Sequence, residues 1–136
     1  MFSYCLSEPE AGSDAAAMKT RAVRDGDGWL LNGVKRWITN AGVSKYYTVF
    51  AVTDPSVDAG KKAAGISAFV VPTNTPGYSV ARIEDKMGQH SSDTAQILFE
   101  NCRVPAANRL GDEGQGLKIA LSGLEGGRIG IASQSV

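Results

Sequence analysis

Apolar and polar positions alternate along most of the first hundred residues, and turn residues interrupt the alternation at short intervals. Phe2 to Leu6 is a short strand candidate that opens into Ser7-Glu8-Pro9-Glu10-Ala11-Gly12-Ser13-Asp14, a loop rich in hydroxyls and free backbone N–H groups. Ala15 to Met18 would suit one helical turn, but Met18 to Arg24 alternates more convincingly as a strand. Asp25-Gly26-Asp27-Gly28 is a strong hairpin turn signal, with Trp29 to Val34 as the returning arm. Lys35 and Arg36 then lead into Trp37-Ile38-Thr39, which Asn40-Ala41-Gly42 closes as a turn. Tyr46 to Thr53 is aromatic and β-branched with apolar residues on both faces, the pattern of a central strand covered on two sides. Asp54 to Gly65 is a surface loop. Ile66 to Val71 is another apolar strand, ended by the turn residues of Pro72 to Gly77. Tyr78 to Glu84 alternates, and Thr94 to Glu100 does so more clearly, with Ala95, Ile97 and Phe99 on one face. About seven strands separated by turns predict a mainly β fold, an antiparallel barrel or sandwich.

The pattern changes after Pro105. Three glycines fall within Asn108 to Gly116, and Leu117, Ala120, Leu121 and Leu124 then recur at helical spacing, which predicts a C-terminal helix from about Gly116. Ile129 to Val136 carries neither a clear C-cap nor a following proline. The apolar stripe of this helix has no later element to cover it. The expectation is a segment of a longer protein, or a domain whose partners are missing, with residues 1–106 as one β domain and 107–136 as the loop and first helix of the next.

Composition narrows the function classes. Fourteen basic residues balance fourteen acidic ones over 136 residues, so no excess charge points to nucleic acid or a membrane surface. Cys5 and Cys102 share no metal-ligand spacing and read as reduced thiols, and the single histidine, His90, gives no basis for a His-rich metal site. No apolar run approaches the roughly 20 residues of a membrane-spanning helix, and the first residues lack the pattern of a signal peptide.

Pattern alone leaves the candidate chemistry open. Trp37 reads either as a core tryptophan or, between Lys35-Arg36 and Thr39-Asn40, as an aromatic face offered to a ring system. Thr39 is a strand-end hydroxyl or a ligand donor; Ser7 and Ser13 are turn or capping residues or ligand contacts. Glu8 and Glu10 look like an acid pair, but Pro9 between them favours an extended, exposed loop. Glu125 and Arg128 fit a surface ion pair at i, i+3, yet the intervening Gly126-Gly127 suggests that another backbone or a ligand comes close. Gly111-x-x-Gly114-x-Gly116 lacks the Lys-Ser/Thr ending of a phosphate loop, and His90 and Ser91 have no visible third partner for a triad.

Four blocks in one order, YCLSEPEAGSD (4–14), KRWITN (35–40), MGQHSSDTAQILFENCRVP (87–105) and NRLGDEGQGLKIALSGLEGGR (108–128), resemble the middle β-domain of the acyl-CoA dehydrogenases and the start of their C-terminal helical domain. The resemblance implies FAD as cofactor, α,β-dehydrogenation of an acyl-CoA, and hydride transfer to the flavin. By the same resemblance Tyr4, Cys5, Leu6, Ser7, Gly12, Ser13, Trp37, Ile38 and Thr39 contact the flavin, and Ser13, Glu125 and Arg128 contact the acyl-CoA. It further implies an electron-transfer flavoprotein as electron acceptor, a homotetramer, and a bacterial cytoplasm or mitochondrial matrix as the compartment. None of the acidic residues matches the family's catalytic glutamate, so no catalytic residue is assigned and the isolated chain is expected to be inactive. Acyl-CoA oxidases and flavin monooxygenases of the same fold are the rival enzymes, and a non-enzymatic β-barrel binding module is the rival of another class.

Overall fold

The computed structural model of the chain describes residues 1–57 and 59–136. Asp58, inside the loop expected between Asp54 and Gly65, lies outside the described residues. Eight strands are present among the described residues: β1 (Phe2–Cys5), β2 (Arg21–Asp25), β3 (Gly28–Thr39), β4 (Tyr46–Val52), β5 (Ile66–Pro72), β6 (Tyr78–Ile83), β7 (Thr94–Pro105) and β8 (Arg109–Leu110). Among the described residues one α-helix, α1, runs over Gly116–Gln134, beside three short 3-10 segments. The mainly β fold with a C-terminal helix is as expected. The count rises because Arg109–Leu110, inside the expected Gly-rich loop, pairs with β5.

The strands form one sheet in the order β6-β7-β3-β2-β4-β5-β8, with β1 beside β4. It is mixed rather than wholly antiparallel, because β1 and β2 both run parallel to β4. They share one of its edges. β1 pairs with Tyr46 to Val49, whereas β2 meets β4 only at Arg21↔Val52. The chain therefore leaves that edge at Cys5, makes an excursion through residues 6–20, and returns to the same edge. The expected hairpin at 25–28 joins β2 to β3, and β3 continues without a break from the hairpin to Thr39.

Two apolar clusters fill the fold. The larger holds Trp29, Leu31, Ile38, Tyr47, Val49, Phe69, Val71, Ile97, Phe99 and Val104, all essentially excluded from solvent. The second lies under α1 and gathers Ala11, Met18, Phe50, Ile66, Ala68 and Ala120. β4 and β5 contribute to both, as strands with apolar residues on both faces must. The first turn of α1 is seated directly on β5: a β-carbon at Gly116 would stand 2.6 Å from the Ser67 carbonyl carbon. Gly114 takes φ +81, and a β-carbon there would meet the Ala64 carbonyl oxygen at 2.3 Å. These glycines allow two backbones to touch, which explains the 111–116 pattern without a phosphate. Beyond Ala120 no side chain of α1 is buried, and Ile129 and Ile131 are exposed. No helix among the described residues is long and apolar enough to cross a membrane.

Candidate functional site

The site begins with a fault in a ladder. Side chains of β3 alternate inward at Trp29, Leu31 and Lys35, a period that would carry Trp37 inward as well. The register against β7 slips instead between Lys35↔Ile97 and Ile38↔Ala95, so Arg36 and Trp37 together oppose Gln96. This is a β-bulge, and Trp37 adopts φ 61 within it, a left-handed conformation uncommon for a bulky L-residue. The bulge turns Trp37 out to 54% exposure and returns Ile38 to the core. The Arg36 guanidinium stacks 4.5 Å from the Trp37 ring centroid and covers part of the indole.

Trp37, Ile38 and Thr39 form one wall of an open cleft of about 360 Å³. Tyr4, Leu6, Ser7 and Gly12 form the other wall, and Leu124 of α1 stands at the edge. Backbone and side-chain bonds tie the walls together. The Arg36 N–H donates to the Ser7 carbonyl at 2.9 Å, and Ser3 Oγ donates to the Thr39 carbonyl at 2.7 Å. Tyr4 Oη donates to the Ala120 carbonyl at 2.9 Å, fixing the helix against the first strand. Burial pushes the Tyr4 hydroxyl up to about 12, so it remains a donor at neutral pH.

The expected contacts divide into two groups. Tyr4, Leu6, Ser7, Gly12, Trp37, Ile38 and Thr39 line the cleft. Cys5 does not: its side chain is buried in the core, and burial, only partly offset by the Lys35 charge, pushes its thiol up to about 12. Cys5 and Cys102 are both buried and unbridged. Ser13 is exposed and lies off the cleft lining. Glu125 and Arg128 lie farther along α1; Arg128 borders a separate apolar hollow with Leu124, Gly127, Ile131 and Ala132. Among the described residues they form no ion pair with each other, and nothing lies within 4 Å of where a β-carbon at Gly126 or Gly127 would stand.

The apparent acid pair separates. Glu10 is exposed beside Lys19, whereas Glu8 is buried against a fully buried Lys35, Nζ to Oε1 2.7 Å. Burial alone would raise the Glu8 carboxyl. The charge and hydrogen bond of Lys35, with bonds from Thr20 and the Lys19 amide, outweigh it and hold the carboxyl below its usual range. Burial draws the Lys35 ammonium down, and Glu8 opposes that in part. The sequence carried the signal for this pair: alternation from Trp29 through Leu31 places Lys35 inward, where a lysine needs a counter-charge.

The cleft thus offers an aromatic face, an aliphatic floor, the hydroxyls of Tyr4, Ser7 and Thr39 and an open glycine, and no carboxylate among the described residues lines it. Such a lining suits a planar polar ring system. Residues 3–102 match the family described as acyl-CoA dehydrogenase, middle domain. A probable acyl-CoA dehydrogenase of Mycobacterium tuberculosis is 53% identical over 136 residues, covering 100% of this chain and 34% of that protein. The human mitochondrial short-chain specific acyl-CoA dehydrogenase is 50% identical over 133 residues, covering 98% and 31%. The structure of butyryl-CoA dehydrogenase from Megasphaera elsdenii superposes with a TM-score of 0.91 at 45% identity, covering 98% of this chain and 34% of that one. The chain belongs to the acyl-CoA dehydrogenase family, and it spans about a third of the length of the relatives it matches.

Proposed function

We propose that this chain supplies the flavin-facing β-domain of an FAD-dependent acyl-CoA dehydrogenase. The observation that carries the reading is Trp37, a large aromatic held half-exposed at φ 61 by a bulge in β3. Strain of this kind persists where the surroundings enforce it, and it gathers at ligand sites. Bound FAD would supply the hydride-accepting ring, chemistry that no side chain offers.

The chain's own residues hold and orient. Trp37 presents the indole surface left open by Arg36 to the ring. Thr39 and Ser7 offer hydroxyls to its polar edge, where donors would stabilise growing negative charge during reduction. Tyr4 and Leu6 form apolar backing, and Gly12 leaves room for the ligand to approach the loop. Abstraction of the substrate α-proton is assigned to none of the described residues, because none of their carboxylates lines the cleft. Ser13, Glu125 and Arg128 are proposed as contacts for the acyl-CoA outside the cleft, and an electron-transfer flavoprotein as the oxidant of the reduced cofactor. The homotetramer and the bacterial cytoplasm or mitochondrial matrix belong to the same proposal.

The test uses the intact protein that carries this sequence. It should purify yellow, and its flavin bands should bleach anaerobically on addition of a member of an acyl-CoA panel. Trp37→Ala should leave the fold intact and weaken FAD binding at least about tenfold, the scale of one lost aromatic contact. A colourless protein, or bleaching by no acyl-CoA, overturns the reading. The 136-residue chain alone is expected to bind FAD weakly or not at all in a fluorescence titration.

A further inference from the structure

Lys35 and Glu8 lie behind the cleft, on the core side of the sheet, and take no part in its lining. Each is nonetheless saturated with bonds. The Lys35 ammonium donates to Glu8 Oε1 at 2.7 Å and to the Leu6 carbonyl at 3.2 Å, with Met18 Sδ 3.9 Å away. The Glu8 carboxylate also accepts from the Lys19 N–H at 2.6 Å and the Thr20 N–H at 3.1 Å. Glu8 and Ala11 exchange two backbone hydrogen bonds, which makes residues 8–11 a closed turn.

These bonds converge where the sheet is interrupted. Residues 6–19 of the excursion lie outside the registers that pair β1 and β2 with β4, and Thr20 rejoins β4 through the Val52 N–H, which donates to its carbonyl at 2.8 Å. Lys35 stands on β3 two residues before Trp37 and reaches through the gap to the carbonyl just ahead of Ser7. A buried ion pair is poor evidence of stabilisation, since a well-packed apolar pair often does as well or better. An apolar pair could not bond the Leu6 carbonyl or organise two amides on one carboxylate.

We propose that Lys35 is a positioning residue for the cofactor cleft: paired with Glu8, it ties the Leu6–Gly12 wall to the Trp37–Thr39 wall and sets their spacing before any ligand arrives. The clamp rests on the cofactor reading only for its purpose. Its existence is a property of the chain without ligand.

Hydrogen exchange on the unmodified protein without flavin tests the clamp first. The amides of Arg36, Lys19 and Thr20, which close the two walls and the Glu8 turn, should open as one unit, with protection within about tenfold of one another. Independent opening of Arg36 overturns the proposal. The double variant Glu8→Gln/Lys35→Met removes both charges and leaves neither buried alone. It should keep the protection of the β4–β5 ladder, speed exchange of those three amides at least about tenfold, and weaken FAD binding by a similar factor. Val104→Ala, a core truncation at the other end of the β3–β7 ladder, supplies a control of lowered stability and should leave FAD affinity unchanged. Unaltered wall protection in the double variant, or an equal loss of affinity in the control, overturns the clamp. If the double variant does not fold, the exchange pattern of the unmodified protein decides. Coupled opening in a protein that binds no flavin supports the clamp and removes the cofactor reading, so the two fail separately.

Discussion

At φ 61 the β-carbon of Trp37 crowds its own carbonyl, a cost of about 1–2 kcal/mol for an L-residue that glycine does not incur. The indole recovers little of this by burial, because it is 54% exposed and its contact with Arg36 lies near the surface. The conformation is enforced by the bulge and not by the side chain. Trp37→Gly should therefore be more stable than Trp37→Ala by about 1 kcal/mol, read as a difference in urea midpoints at equal slope. Equal midpoints would show that the bulge relaxes when the indole is removed. The inward or outward choice for this residue was open in the sequence for a physical reason. Strict alternation from Trp29 sends position 37 into the core, and only a bulge, whose position has no local signature in KRWITN, reverses it. Asn101 repeats the lesson on β7: at φ 49 it lies with Glu100 opposite the Leu31–Gly33 step, and the buried phase resumes at Cys102.

At the scale of elements, loop geometry depends on contacts between remote backbones. The 108–116 segment reads in sequence as glycine-rich and structureless, yet it contributes an edge strand to β5 and delivers α1 onto the same strand. Gly114 is the critical point, since both its φ of +81 and the Ala64 carbonyl exclude a β-carbon. Gly114→Ala should destabilise the fold by about 2–3 kcal/mol, combining left-handed strain with overpacking. Equilibrium urea unfolding measures it, and a loss under about 0.5 kcal/mol, the range of an ordinary surface change, would show that the loop yields. The strands themselves were legible because their periods and turn residues agree, most clearly at the 25–28 hairpin and in the two-faced Tyr46–Thr53 run. Mixed pairing was not. Nothing local distinguishes a strand that runs parallel to β4 from one that runs antiparallel, because partner choice is made by residues some forty positions away.

At the scale of the molecule, the interrupted edge of β4 leaves a buried ion pair among the links between the excursion and the rest of the sheet, beside the Arg36–Ser7 backbone bond and the packing of Ala11 and Met18, and this gives the fold a defined response to acid. The Glu8 carboxyl is held below its ordinary value of 4.5 in the folded state. A carboxyl with a depressed folded pKa contributes stability that is complete above the unfolded value and is lost as pH falls through the folded one. Protonation also strands the Lys35 ammonium, 0% exposed, without its counter-charge. Removing one partner of such a pair costs about 3–5 kcal/mol, so Glu8→Gln should be less stable than the unmodified chain by roughly 3 kcal/mol at pH 7. That gap should hold down to about pH 5 and close at lower pH, because acid does to Glu8 what the substitution has already done. The remaining carboxylates titrate in both proteins and largely cancel in the difference. Urea midpoints at intervals from pH 7 to about pH 3 measure the gap directly. Two curves that stay parallel to the acid end would mean that Glu8 is not the group through which acid loosens the loop, whereas curves that coincide from pH 7 down would mean that the charge on Lys35 is tolerated without it.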